Sequence, residues 1–107
     1  MRNDILDKVR KAAHKKILFL PHAVNQMNRP ERLISTLDVR NVIEKGTIIE
    51  YYPDDPRGKS CLILGNSDDN RIIHVVCAPK DDFLAIITAY LPDEDMWNKN
   101  FSERQFK

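Results

Sequence analysis

The chain has 107 residues, 42% of them hydrophobic, with seventeen Lys/Arg against sixteen Asp/Glu and a net charge of +1. That length fits one domain, 1–107, able to bury a core without staples, and the composition excludes a wholly disordered chain. No apolar run approaches the ~20 residues that span a bilayer, and the charged N-terminus has no apolar signal core, which predicts a cytoplasmic protein with no membrane partner.

The near-neutral total hides an asymmetry. Residues 1–45 carry ten Lys/Arg against five Asp/Glu, and residues 46–107 carry seven against eleven. A basic half beside an acidic half predicts one cationic face suited to nucleic acid or an acidic partner, or else ordinary solvated helix faces. Cys61 and Cys77 both sit in β-like apolar runs and lack CxxC spacing, which predicts buried free thiols rather than a zinc site.

The first half, 1–46, reads as helical. Asn3 or Asp4 is placed to cap a first helix whose apolar stripe is Ile5, Leu6, Val9, Ala12 and Ala13, with Lys8, Arg10, Lys11, Lys15 and Lys16 on its other faces. Ile17 to Leu20 is fully apolar and reads as a short buried extended segment. Pro21 then opens a second helix over about His22 to Asn28, which Pro30 ends. Ser35 or Thr36 caps a third helix with Val39, Val42 and Ile43 inward, and Gly46 stops it in the position that follows a helix C-terminus.

After Gly46 the apolar period drops from 3.6 to 2. Four runs follow over 47–91: Thr47–Tyr52, Ser60–Gly65, Arg71–Ala78 and Phe83–Leu91. The connectors are short and rich in Pro, Asp, Asn and Gly, so neighbouring strands are expected to pair antiparallel. The fold class is therefore α+β, with N-terminal helices on one face of a four-stranded antiparallel meander. Pro92 ends the last strand. The polar tail, 92–107, carries Trp97, Phe101 and Phe106 as anchors for folding back on the sheet as a short helix.

Four groups of residues invite chemistry. His22, at a helix start, has the side chain of a general base or a phosphate contact. Arg29, Arg32 and Arg40 surround the second and third helices and supply guanidinium forks for phosphate. His74 lies mid-strand. Its neighbours depend on register: an even index sum puts it opposite Thr88 and on the side of Thr88 and Tyr90, and a one-residue slip puts Arg71 and Ile73 there instead. The acidic pairs Asp54/Asp55, Asp68/Asp69, Asp81/Asp82 and Asp93/Asp95 divide between opposite ends of a meander, so turn chemistry explains them and no metal site is expected. No P-loop, GxGxxG, HExxH or GxSxG is present, and no cofactor is expected.

The run Phe19-Leu20-Pro21-His22-Ala23 to Met27, then Arg32, Ile34, Asp38-Val39, Gly46, Ile48-Ile49-Glu50 and Tyr52, continues through Leu62 to Gly65, Ile73-His74-Val75-Val76, Ile87-Thr88-Ala89-Tyr90 and Trp97. This order resembles a prokaryotic domain family of unknown function that opens on a His-Ala-x-x-x-Met helix, and its layout is similar to RelE/MqsR-type toxins. The resemblance implies a RelE-like fold and a toxin-like, metal-independent endoribonuclease with an RNA substrate and a cognate antitoxin partner. Its matching positions are His22, Arg32, His74, Thr88 and Tyr90: His22, Arg32, His74 and Tyr90 are expected in catalytic roles and Thr88 in substrate binding, which Arg29 and Arg40, read from their side-chain type alone, are expected to share. A non-catalytic binding module for protein or nucleic acid is the alternative. The acidic sheet half departs from the strongly basic character of such toxins.

Overall fold

A computed structural model describes residues 2–104, with side chains from Asp4 onward. Phe106, expected as a tail anchor, lies outside the described residues. The elements are α1 (Arg2–Lys15), β1 (Ile17–Phe19), α2 (Pro21–Met27), α3 (Thr36–Lys45), β2 (Thr47–Tyr52), β3 (Ser60–Asn66), β4 (Ile72–Pro79) and β5 (Leu84–Tyr90). The architecture is α+β: three helices and one mixed five-stranded sheet in the order β1-β5-β4-β3-β2.

The helices follow local chemistry. α1 is already helical at Arg2, so Asn3 and Asp4 lie inside its first turn rather than capping it. Ile5, Val9 and Ala12 are buried along its inner stripe. α2 starts on Pro21, whose missing N–H costs nothing in a first turn. α3 starts with a full capping box, in which the Ser35 hydroxyl accepts from Asp38 N and the Asp38 carboxylate accepts from Ser35 N, both at 3.0 Å.

Gly46 ends α3 for a reason other than helix-stop geometry. Its φ is −79°, which any residue adopts. A Cβ there would lie 2.4 Å from Val42 O and 2.5 Å from Leu64 O. Glycine is needed because the helix terminus and β3 backbone close on that point. Gly65 repeats the device more gently, with an added Cβ 3.0 Å from Val42 Cα. Both glycines let α3 press directly on the sheet.

The strands β2 to β5 pair antiparallel in chain order. The sheet nevertheless has a fifth strand. Ile17, Leu18 and Phe19 pair in parallel with Leu84, Ala85 and Ile86, and Leu84 N donates to Lys16 O at 2.8 Å while Leu20 N donates to Ile86 O at 3.1 Å. The expected buried segment is thus an edge strand of a mixed sheet, and Leu18 is 40% exposed. The tail also departs from expectation: residues 92–104 form no helix, and one isolated bridge joins Trp97 to Arg104.

Two bulges set the register. One lies on β2, where Ile49 is the extra residue between Ile48 and Glu50; the other lies on β5, where Ile87 is the extra residue opposite the Val76–Cys77 step of β4. His74 stands opposite Tyr90, and Val76 opposite Thr88. The index sum is even there, so His74 shares a side with Thr88 and Tyr90, but its direct partner is Tyr90.

Strand alternation gives the sheet two unlike faces. Cys61, Ile63, Ile73, Val75, Cys77, Leu84, Ile86 and Ala89 meet all three helices in one buried aliphatic cluster. The two thiols are free, 4.0 Å apart on paired positions of β3 and β4, and their mutual contact and burial hold Cys77 protonated well above the usual thiol range. The opposite face carries Glu50, Tyr52, Ser60, Leu62, His74, Val76, Thr88 and Tyr90. The tail closes part of it. No helix among the described residues is long and apolar enough to cross a membrane.

Candidate functional site

Among the described residues, His22 meets Thr88, and His74 meets Tyr90, on the polar face. That face has two parts: an open cleft at one side and a covered network at the other.

The cleft has a volume of about 420 Å³. Val76, Ile87 and Thr88 line it from the sheet, His22 from α2, and Tyr52, Asp55, Pro56 and Arg57 from β2 and the turn after it. His22 is exposed there because Pro21 starts the helix at the rim of the sheet and the apolar positions Ala23 and Met27 turn inward. The turn holds Arg57 in place. Asp55 accepts from Arg57 Nε and Nη2, each at 3.0 Å, and from the Ser60 hydroxyl at 2.7 Å. Those bonds, with the Arg57 fork contributing most, hold the Asp55 carboxyl well below the usual carboxylate range. Gly58, at φ +108°, closes the turn in a conformation that other residues rarely adopt.

The covered part is centred on His74, which is fully buried. Its Nε2 lies 2.7 Å from Phe101 O and its Nδ1 lies 3.3 Å from the Tyr90 hydroxyl. A carbonyl only accepts, so Nε2 carries the proton, and Nδ1 accepts from Tyr90. Burial pushes this imidazole down to about 4, consistent with that neutral tautomer. Trp97 packs its ring edge-on at 4.4 Å, and Arg104 sits over the indole at 4.9 Å. Arg104 also forms a bidentate pair with Glu50, at 2.8 and 3.1 Å. Tyr52 donates to the same carboxylate. Burial alone would raise Glu50, but the bonds from Arg104 and Tyr52 outweigh it and leave the carboxyl below its usual value. Burial, then the bond to Glu50, pushes the Tyr52 phenol up to about 12. Burial also raises Tyr90.

The predicted residues therefore separate. His22 and Thr88 meet in the open cleft. His74 and Tyr90 meet each other beneath the tail, and the charge of Arg32 acts on Tyr90 from the loop after α2. Arg32 itself donates to Gln26, and its carbonyl accepts from Arg71, which also pairs with Asp38 and so ties that loop to α3. Arg29 is exposed, with Glu31 at 3.9 Å. Arg40 belongs to another cleft, between α1 and α3, with Arg10, His14 and Glu44. It stands on the helical layer, so it does not join the sheet residues.

Sequence reasoning missed Arg57, Tyr52, Glu50 and Arg104. Only the alternation of Glu50 and Tyr52 with Tyr51 was visible as a signal, and Arg104 finds Glu50 from 54 residues away, half the length of the chain. Among the described residues, no three His, Cys, Asp or Glu side chains gather to hold a metal ion. In one acidic pair, Asp68 accepts from Asn41 at 2.8 Å and Asp69 from Arg71 at 3.0 Å.

A family model described as "Domain of unknown function (DUF4258)" matches residues 19–91, well over half of the chain. The matched span runs from the end of β1 to just past β5 and stops where the tail begins. No match was found among curated proteins or among solved structures. The chain belongs to the DUF4258 family, a domain of unknown function.

Proposed function

We propose that this domain is a toxin-like, metal-independent endoribonuclease working on the polar face of its sheet, with a cognate antitoxin as the partner that would cover that face. One observation carries the reading: an imidazole, a guanidinium and a hydroxyl, from His22, Arg57 and Thr88, line a single open cleft. These are the groups that cleavage of RNA by its own 2′-hydroxyl requires.

In this reading His22 takes the proton from the 2′-hydroxyl. The 2′-oxygen forms a bond to the adjacent phosphorus, the bond from phosphorus to the 5′-oxygen breaks, and that oxygen takes a proton from water at the open mouth. The products are a 2′,3′-cyclic phosphate and a 5′-hydroxyl. Arg57 spends Nε and Nη2 on Asp55, which leaves Nη1 for a phosphate oxygen. Thr88 orients the same phosphate. Tyr90, His74 and Arg32 lie further along the face and extend the path of the strand.

The test is incubation of the purified protein with RNA in EDTA. Cleavage ending in 2′,3′-cyclic phosphate, lowered about 100-fold in His22→Gln, is the expected result. Intact RNA, together with normal growth on expression, would sink the proposal.

A second reading, a non-catalytic binding module, is favoured by His74. Both its ring nitrogens are engaged and it is fully buried, as befits a structural residue. Under that reading RNA or a partner protein is bound but left whole, and His22→Gln changes nothing.

A further inference from the structure

Residues 92–104 cover the His74 end of the polar face without any helix or strand of their own. Trp97 is buried to 4% exposure, although the segment around it is largely exposed. Phe101 takes a left-handed backbone, φ +59°, an uncommon conformation for a bulky side chain, and so brings its carbonyl to His74 Nε2. Arg104 forks onto Glu50, and its side chain is 44% exposed. The surface beneath is polar and aromatic: Glu50, Tyr52, His74 and Tyr90. The matched family domain ends at residue 91, before this segment starts.

A segment built as part of the core would bury apolar surface against apolar surface. This one meets a polar surface through directional bonds and one aromatic anchor. We propose that residues 92–104 are a releasable strap, latched by Arg104 on Glu50 and by Trp97 against His74, which closes part of the RNA-binding face until it is displaced. The inference rests on the endoribonuclease reading of that face and adds its regulation. RNA engages the open cleft at His22 first. Extension of the strand toward Tyr90 then requires the slot that Trp97 fills.

Trp97 is the chain's single tryptophan, so its fluorescence reports the strap directly. The experiment uses the full chain with Arg104→Glu, the milder Arg104→Gln, and the charge swap Glu50→Arg with Arg104→Glu, which keeps the net charge. Each variant is first checked for its fold by circular dichroism. Arg104→Glu and Arg104→Gln are expected to shift Trp97 emission to the red, to expose His74 to diethyl pyrocarbonate, and to raise affinity for single-stranded RNA about tenfold. The swap is expected to restore all three. Loss of a positive charge by itself weakens RNA binding, so a gain in Arg104→Glu runs against simple electrostatics. Unchanged Trp97 emission in both single variants overturns the latch. Released Trp97 with RNA affinity equal to that of the wild type overturns the strap alone. RNA bound by neither form overturns the strap and the endoribonuclease reading together.

Discussion

The two faces of the sheet are closed in opposite ways. On one side, aliphatic residues of β3, β4 and β5 meet three helices in a continuous cluster, and two glycines bring α3 down onto the strands. On the other, histidine and glutamate are met by an irregular tail through directional bonds from the Phe101 carbonyl and the Arg104 guanidinium. Burial of the first kind is non-directional and grows with area, so it stabilises strongly. Burial of the second kind needs each polar group paired, and its net worth is small. The difference teaches where to look for function: the fold is held from the helix side, which leaves the tail side free to carry polar groups and to open.

Substitutions on the two faces can break this contrast. The largest effect is expected from Leu84→Ala, which removes a fully buried side chain from the aliphatic cluster and should cost about 3 kcal/mol in urea unfolding. Gly46→Ala should cost a similar ~3 kcal/mol, because its new methyl meets two backbone oxygens that cannot move aside. Trp97→Ala, though equally buried, should cost only about 1–2 kcal/mol, below the ~3–5 kcal/mol of a core aromatic, because the tail can leave without opening the helix side. A loss as large as that of Leu84→Ala would show the tail to be core.

Acid sharpens the same contrast. His74 is held neutral, its folded value near 4 lying below the unfolded imidazole at 6.5. Between those values the unfolded chain binds a proton that the folded chain refuses, so stability is complete above about 6.5 and declines as pH falls toward 4. The groups facing His74 are Tyr90, Glu50 and Arg104; burial would raise the Glu50 carboxyl, but its bonds to Arg104 and Tyr52 leave it below its usual value. Thermal melts across this window should fall with acid, and the slope should flatten in His74→Gln. The smallest effect is expected from Arg104→Ala, about 0.5–1 kcal/mol in urea, as for a partly exposed ion pair.

Much of the fold was legible because its signals are local. The cap of α3 at Ser35 or Thr36, the proline at the start of α2 and the period-two runs of β2 to β5 all speak within a few residues. β1 was not legible as a strand. Three apolar residues carry no period, and their partner, Leu84 to Ile86, lies at the other end of the chain. The pairing of His74 with Tyr90 rather than Thr88 depended on a connector and a bulge whose geometry the residues do not spell out. Of the site, His22 and Thr88 could be named by type, but their cleft is completed by Arg57 from a turn whose position depends on the hairpin. Arg40 shows the reverse failure: a suitable side chain near the right helix in sequence, carried to the helical layer by the way α3 packs. Arg104 gave no warning, since a charge in a polar tail looks like solvated surface until its partner on β2 is known.

The parallel pairing of Ile17–Phe19 with Leu84–Ile86 also sets an order of events during synthesis. The antiparallel hairpins can zip as each emerges from the ribosome, but β1 has nothing to dock on until the last strand has cleared the exit tunnel. An apolar stretch made early must therefore wait exposed through most of translation, which makes it a natural stopping place for a chaperone.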